Sequence, residues 1–90
     1  MVEFEWDEDK RIANIEKHGL DFEEADVLFD GRPSVSDENT RNDEHRLATT
    51  CEVEGVFYTI IWTMRGNKIR VISLRRARHA EERKYHELHG

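Results

Sequence analysis

Three arginines and two adjacent proton-transfer groups are the residues of this sequence best suited to chemistry. Arg46, Arg65 and Arg70 each carry a planar guanidinium, whose fork of N–H groups matches phosphate oxygens better than a lysine ammonium does. Glu44 and His45 directly precede Arg46, and an unperturbed histidine pKa of ~6.5 permits base or acid work near neutral pH. The set predicts phosphate binding with proton transfer, and either Glu44 or His45 can be the base.

The charge of the chain is divided between two unlike segments. Residues 1–64 hold six Lys or Arg against seventeen Asp or Glu, a balance of −11, whereas residues 65–90 hold eight against three, a balance of +5. Such a division predicts one surface for a polyanion such as nucleic acid and another for a basic partner. Further candidates for contact with nucleic acid are Lys68, Arg75, Arg76 and His79. The alternative for Arg75 and Arg76 is that they solvate a strand end or pair with acidic helices.

Length and composition narrow the class of protein. Ninety residues are close to the lower limit for one hydrophobic core, so we expect a single domain over residues 1–90. The lone Cys51 excludes an internal disulfide and a cysteine-based zinc site. The acidic N-terminus does not resemble a signal peptide, and no apolar run approaches the ~20 residues of a membrane span. We therefore expect a cytoplasmic protein that uses neither a metal nor a cofactor.

Local signals predict a strand and a helix at the start of the chain. A short strand is predicted at residues 4–6. Asp7 then offers a side-chain oxygen as an N-cap, and Gly19 is suited to end the helix in a left-handed conformation. The apolar spacing predicts that Ile12 and Ile15, with Ala13 beside them, face inward.

The next segment predicts a second helix and then a loop. Asp21 precedes residues 22–29, in which apolar side chains recur at spacings of three and four. After a brief strand at residues 34–36, residues 36–44 are polar enough to predict an exposed loop.

The second half of the chain predicts a sheet and a terminal helix. Strands are predicted at residues 46–53, 56–64 and 68–76, joined by short turns into an antiparallel meander. A helix at residues 80–88 follows, with acidic residues in its first turn. The expected order is β-α-α-β-β-β-β-α. We therefore expect an α+β domain with two N-terminal helices, an antiparallel sheet and a C-terminal helix.

Three segments carry a pattern that extends over nearly the whole chain: FEWDEDKRIANIEKHGLDFEEADVLFD, a charged loop ending in EHR, and WTMRGNKIRVISLRRARHAEERKY. The most specific positions are Trp6, Asp7, Lys10, Asn14, Lys17, His18, Gly19, Phe22, Glu24, Ala25, Thr63, Arg65, Gly66, Arg70, Ile72, Ser73, Arg75 and Ala77. The pattern resembles the BrnT family of ribonuclease toxins. It departs from that family at Cys51 and Glu52, where a glycine is expected, and at Glu82, where a basic residue is more usual.

The resemblance implies both a fold and a function. It implies a small RelE-like domain and an endoribonuclease toxin of a type II toxin-antitoxin system, which inhibits translation by cleaving RNA. It also implies a cognate BrnA-type antitoxin, a ribbon-helix-helix DNA-binding protein that neutralises the toxin in a hetero-oligomer. The alternative is a non-catalytic module that binds nucleic acid or protein.

Metal-independent RNA cleavage needs three kinds of group. A base takes the proton of the 2′-hydroxyl, cationic donors hold the phosphorane, and an acid protonates the leaving 5′-oxygen. Glu44 or His45 can move the protons, and Arg46, Arg65 and Arg70 can hold the phosphate.

Several other residues have plain structural interpretations. We interpret His18 as part of a helix C-terminus, and Trp6 and Trp62 as packing residues rather than platforms for stacked bases. His79 is interpreted as a surface residue of the last helix, although its nearness to Arg75 in sequence keeps it a candidate for RNA contact. Cys51 is interpreted as a small buried residue.

Overall fold

The computed structural model describes residues 2–90, apart from the side chain of Arg41. The elements occur in the predicted order. They are β1 Glu3–Glu5, α1 Glu8–His18, a 3₁₀ helix Phe22–Phe29, β2 Val35–Arg41, β3 Glu44–Val53, β4 Val56–Arg65, β5 Lys68–Arg76 and α2 His79–His89. The strands form a single sheet with the spatial order β1-β5-β4-β3-β2. Within residues 2–90, no helix has the length and apolar character needed to cross a membrane.

The sheet is mixed, which corrects the expected RelE-like arrangement of two N-terminal helices, an antiparallel sheet and a C-terminal helix. β2 to β5 form an antiparallel meander of four strands, but β1 runs parallel to β5, with Glu3 opposite Lys68 and Glu5 opposite Arg70. Local signals predicted β1 but not its partner, because β5 lies more than sixty residues away in sequence. The α+β class holds.

The expected loop at residues 36–44 is instead a hairpin. Most of it belongs to β2, which pairs with β3 along its whole length. Asn42 and Asp43 form a two-residue turn with φ of 51° and 62°, the positive values that tight hairpin turns require and that Asn and Asp tolerate. Because β2 is an edge strand exposed along most of its length, it lacks the apolar alternation that would have indicated a strand.

The core lies between one face of the sheet and the 3₁₀ helix. Phe22, Ala25 and Leu28 are buried, and their spacing of three residues suits a 3₁₀ helix, in which residues i and i+3 lie above one another. Facing them from the sheet are the buried side chains of Cys51, Ile60, Val71 and Leu74. The apolar residues of this segment therefore recur every three residues, which is the period of the 3₁₀ helix that it forms.

The two tryptophans pack around this core, as predicted. Trp6 meets Phe22 edge to face with ring centroids 6.2 Å apart, and Trp62 meets Phe29 in the same way at 5.2 Å. The indole N–H of Trp62 donates a hydrogen bond to the Thr49 hydroxyl. Both rings are thereby fixed as packing residues.

The prediction that α1 buries its isoleucines is wrong. The exposed fraction is 47% for Ile12 and 37% for Ile15, and Ala13 is exposed as well. The buried residue of α1 is Asn14, which is 6% exposed. The helix is therefore attached to the sheet by a polar side chain rather than by its apolar positions.

Asn14 bonds to the backbone of β5 beyond the point where β1 ends. Its carboxamide donates to the Leu74 carbonyl at 2.8 Å and accepts from the Leu74 N–H at 3.1 Å. The same Nδ2 also donates to the Leu20 carbonyl at 2.9 Å, beyond the end of the helix. One side chain thus takes the place of a neighbouring strand and fixes the helix against the sheet.

Replacing Asn14 by alanine should destabilise the fold strongly. Because Leu74 N–H and C=O would be left buried without partners, we expect Asn14→Ala to lower the free energy of unfolding by roughly 3 kcal/mol. Asn39→Ala, at an exposed position of the β2 edge, should change it by no more than about 0.5 kcal/mol. Urea denaturation followed by circular dichroism measures both, and equal effects of the two substitutions would contradict the role assigned to Asn14.

Candidate functional site

The sheet face opposite the core is covered by α2 over only part of its area. The helix packs on β2 and β3, and it reaches β4 where Phe57 contacts Tyr85 with ring centroids 5.1 Å apart and where the Thr59 hydroxyl donates to Glu81. The rest of this face, together with Arg75 at its border with α2, carries most of the charged residues that the sequence singled out. We call it the arginine face and define it as Glu44, Arg46, Thr63, Arg65, Lys68, Arg70 and Arg75.

The strand register places two of the predicted phosphate-binding arginines in one row. Thr63 pairs with Arg70, and the pairing of Leu47 with Trp62 sets Arg46 next to Thr63 on the other side. Directly paired residues point to the same face of a sheet, and two strand spacings separate the outer residues by about 10 Å. Arg46 and Arg70 therefore flank the buried Thr63 on a shared surface.

Glu44 lies between two of these arginines. The Arg46 Nε donates to Glu44 Oε1 at 2.9 Å, and Arg65 Nη2 lies 3.8 Å from Glu44 Oε2. The hydrogen bond from Arg46 lowers the pKa of Glu44; burial opposes this effect, and the charges of Arg46, Arg65 and Lys10 add to it. Glu44 is therefore a carboxylate at neutral pH, in contact with cations that can also bind an anion.

His45 points to the other side of the sheet from Glu44 and Arg46. Successive residues of a strand alternate between the two faces, and the His45 ring lies 3.8 Å from the Glu38 carboxylate with 57% of its side chain exposed. Only its backbone carbonyl reaches the row, where it accepts a hydrogen bond from the Thr63 hydroxyl at 2.6 Å. Of the two predicted proton-transfer groups, Glu44 alone shares a face with the arginines.

Strand β1 supplies carboxylates to the far side of the arginine face. Arg70 donates to Glu5 at 2.8 Å, and Lys68 lies 3.8 Å from Glu3. Arg65 is more open, with 56% of its side chain exposed. The face therefore combines arginines held by carboxylates with one that extends toward solvent.

Arg75 is held by Glu81, a residue that the sequence indicated only as a helix N-terminal charge. The two side chains form a two-pronged ion pair of 2.8 and 2.9 Å, and they are only 14% and 16% exposed. Glu81 Oε1 also accepts from the Arg78 N–H at 2.7 Å and from the Thr59 hydroxyl at 3.0 Å. Burial opposes the ionisation of Glu81, but these hydrogen bonds outweigh it and lower the pKa to about 2.

Two grooves meet at this ion pair. One, of about 420 Å³, separates the first turn of α2 from β2 and β3. Its lining includes the cations Arg46, Arg75 and Arg78 and the carboxylates Asp37, Glu38 and Glu81. The other, of about 560 Å³, lies between the end of α1 and the start of α2. Arg75 and Arg78 line both grooves.

The remaining predicted contacts lie apart from the arginine face. Arg76 follows Arg75 in β5, so its exposed side chain points to the opposite side of the sheet and lines the second groove. His79 is the exposed first residue of α2. Within residues 2–90, no cluster of three or more His, Cys, Asp or Glu side chains is arranged to hold a metal ion.

The comparison with protein families agrees with the resemblance seen in the sequence. The model of a family described as the ribonuclease toxin BrnT of type II toxin-antitoxin systems matches residues 6–81. The matched residues include the whole arginine face, Asn14 and Glu81. No curated protein sequence matches the chain.

The ion pair of Glu81 should make the stability of the fold depend on pH. The pKa of Glu81 lies at about 2 in the folded chain, below its ordinary value of 4.5. The carboxylate therefore stabilises the fold fully above pH 4.5, and this contribution is lost as the pH falls toward 2. Glu81→Gln should lower the free energy of unfolding by roughly 3 kcal/mol at neutral pH and by less than half as much near pH 3.

Urea denaturation at the two pH values measures this difference. Glu82→Gln is the matched control, because it removes a charge from the same turn of α2. A Glu81→Gln effect that stayed constant between the two pH values would contradict a role for the ionised carboxylate.

Proposed function

We infer the activity of this chain from two facts. The chain belongs to the BrnT family of ribonuclease toxins from type II toxin-antitoxin systems. Its arginine face holds an ionised Glu44 between Arg46 and Arg65. We propose that the chain is itself an endoribonuclease and that it cleaves RNA on this face without a metal ion. The contact of Glu44 with two guanidinium groups is the observation that carries the proposal.

The proposed reaction starts at the ribose 2′-hydroxyl. Glu44 accepts the proton of that hydroxyl while the 2′-oxygen attacks the adjacent phosphorus. The 5′-oxygen then leaves with a proton from solvent water. The products are a 2′,3′-cyclic phosphate and a free 5′-hydroxyl. Arg46 and Arg65, which both contact Glu44, are proposed to hold the charge of the phosphorane, the part that a metal ion plays in other nucleases.

Arg70 and Lys68 are proposed to position the RNA rather than to react. Arg70 lies about two strand spacings from Arg46, beyond Thr63, which suits contact with a neighbouring phosphate of the same strand. Arg75 is fixed by Glu81 and borders the groove that also contains Arg46. His45 is proposed to have no direct part, because it points away from these residues. Arg76 and His79 are proposed to contact RNA only outside the arginine face.

Substitution of Glu44 tests the catalytic proposal. We expect Glu44→Gln to lower the rate of RNA cleavage in EDTA by about 100-fold or more, because general-base catalysis contributes roughly that factor. Glu52→Gln is the matched control, since Glu52 lies on the same strand and the same face of β3 but outside the arginine face. Gel analysis of a labelled RNA measures the rates, and mass spectrometry of the 3′ ends identifies the cyclic phosphate.

Two results would contradict this proposal. RNA left intact by the wild-type chain in EDTA, together with normal growth of cells that express it, would exclude a metal-independent ribonuclease. Tight RNA binding by the wild type without cleavage would favour the alternative, a non-catalytic binding module. In that case the double variant Arg46→Ala, Arg70→Ala would bind RNA more weakly, and neither it nor the wild type would cleave RNA.

The partner proposed for this toxin is a BrnA-type antitoxin with a ribbon-helix-helix DNA-binding domain. The family belongs to type II systems, in which the antitoxin is a protein. We propose that this antitoxin covers the arginine face and blocks RNA by occupying the same surface. A reading frame directly beside the toxin gene that encodes such a protein would support the pairing.

Charge reversal at Arg65 tests where the antitoxin binds. An interface of the usual ~1,600 Å² centred on the arginine face would bury Arg65, and we expect Arg65→Glu to weaken antitoxin binding by at least about tenfold. Arg83→Glu, on the exposed side of α2, is the control and should bind almost as the wild type does. Isothermal titration calorimetry measures both, and a crystal structure of the complex with Arg65 and Arg70 open to solvent would contradict the proposal.

A further inference from the structure

A second group of cations lies outside the arginine face. Lys17 lies in the last turn of α1, Arg76 ends β5 and Arg78 precedes α2, and all three line the groove of about 560 Å³. Among the salt bridges of the described residues 2–90, none involves Lys17, Arg76 or Arg78, whereas Arg46, Arg70 and Arg75 each pair with a carboxylate. The groove therefore holds positive charge that the surrounding residues leave uncompensated.

The composition of this groove is unusual for the chain. The sequence has 20 acidic residues against 14 Lys and Arg, yet every side chain that lines the groove is a cation or a neutral polar group. They are Lys17, His18, Ser73, Arg75, Arg76 and Arg78. A concentration of guanidinium and ammonium groups without carboxylates, beside a hydroxyl donor, is the composition that binds phosphate oxygens.

His18 lines the groove beside its cations. Its pKa lies below the ordinary value, chiefly because burial disfavours the charged ring and then because Lys17 and Arg75 repel it. The ring is therefore neutral at neutral pH and does not add to the crowding of cations. His18 is the last residue of α1, directly before Gly19, which closes the helix with φ of 70°.

This groove adjoins the groove of about 420 Å³, which Arg46 and Arg75 of the arginine face line. Arg75 and Arg78 form a wall common to both, and the ion pair with Glu81 fixes Arg75 at the junction. A chain of phosphates that passes over Arg46 would therefore meet Arg75 next and reach Lys17 and Arg76 beyond it. A single-stranded polyanion can therefore pass from one groove to the other along Arg75 and Arg78, the residues that line both.

We propose that the groove of Lys17, His18, Ser73, Arg76 and Arg78 is a second phosphate-binding subsite, which holds the backbone of the same single-stranded RNA beyond the point of cleavage. This inference rests on the proposed function, because it extends the contacts of the RNA substrate of that function beyond the site of cleavage. Contacts to phosphate alone make the subsite indifferent to base sequence.

The salt dependence of RNA binding tests this proposal. The probe is a fully 2′-O-methylated RNA about 12 nucleotides long, which the proposed reaction cannot cleave. Each phosphate contact that is lost reduces the slope of log K against log salt concentration by about 0.7 for a single strand. We expect Lys17→Gln and Arg76→Gln each to reduce the slope by that amount and to weaken binding by at least about fivefold.

Arg83→Gln is the matched control for these variants. Arg83 is an exposed cation on α2 that lines neither groove, so the slope should stay at its wild-type value. Nuclear magnetic resonance of the His18 ring gives a second readout, because a phosphate held in the groove should raise the pKa of His18 by offsetting Lys17 and Arg75.

Four outcomes separate this proposal from the one on which it rests. Reduced slopes together with a raised His18 pKa support the subsite. Unchanged slopes in Lys17→Gln and Arg76→Gln, with a wild type that binds and cleaves RNA, would overturn the subsite alone. A wild type that neither binds nor cleaves RNA would overturn the proposed function and the subsite with it. Variants that bind RNA normally but lose the antitoxin would assign the groove to the protein partner and overturn the subsite.

Discussion

Leu74 lies on a stretch of β5 that β1 is too short to cover, and its two backbone groups depend on Asn14. The carboxamide bonds to both of them and to the Leu20 carbonyl, so the position of α1 follows from a single side chain. The 3₁₀ helix begins directly after this connection and closes the core. The same contact sets the end of α1, with Lys17 and His18, beside Ser73 of β5.

The charged side chains follow a second constraint, the pairing of arginines with carboxylates. Arg46, Arg70 and Arg75 are held by Glu44, Glu5 and Glu81, and these carboxylates come from different parts of the chain. These ion pairs restrict the motion of the arginines. The pair of Arg46 uses its Nε and leaves its outer N–H groups for a ligand, whereas both outer nitrogens of Arg75 donate to Glu81. An acidic protein can in this way hold several arginines in order on one surface.

Local chemistry accounts for what could be predicted. Asp7 and Gly19 bound α1 as expected, because capping depends on residues a few positions apart. The prediction that Ile12 and Ile15 face inward was wrong, because apolar spacing indicates a helix face but not which face the sheet will meet. The prediction of a loop at residues 36–44 was wrong because β2 is a polar edge strand, which has the composition of a loop.

The sequence alone determined the α+β class, the order of the elements, the family and the residue types that can bind phosphate. Tertiary structure decided which of them meet. The register of β3, β4 and β5 brought Arg46 and Arg70 onto one face with Glu44 and turned His45 away, because a shift of one residue exchanges the two faces of a strand. The groove of Lys17 and Arg76 joins residues far apart in sequence, so no local pattern could indicate it.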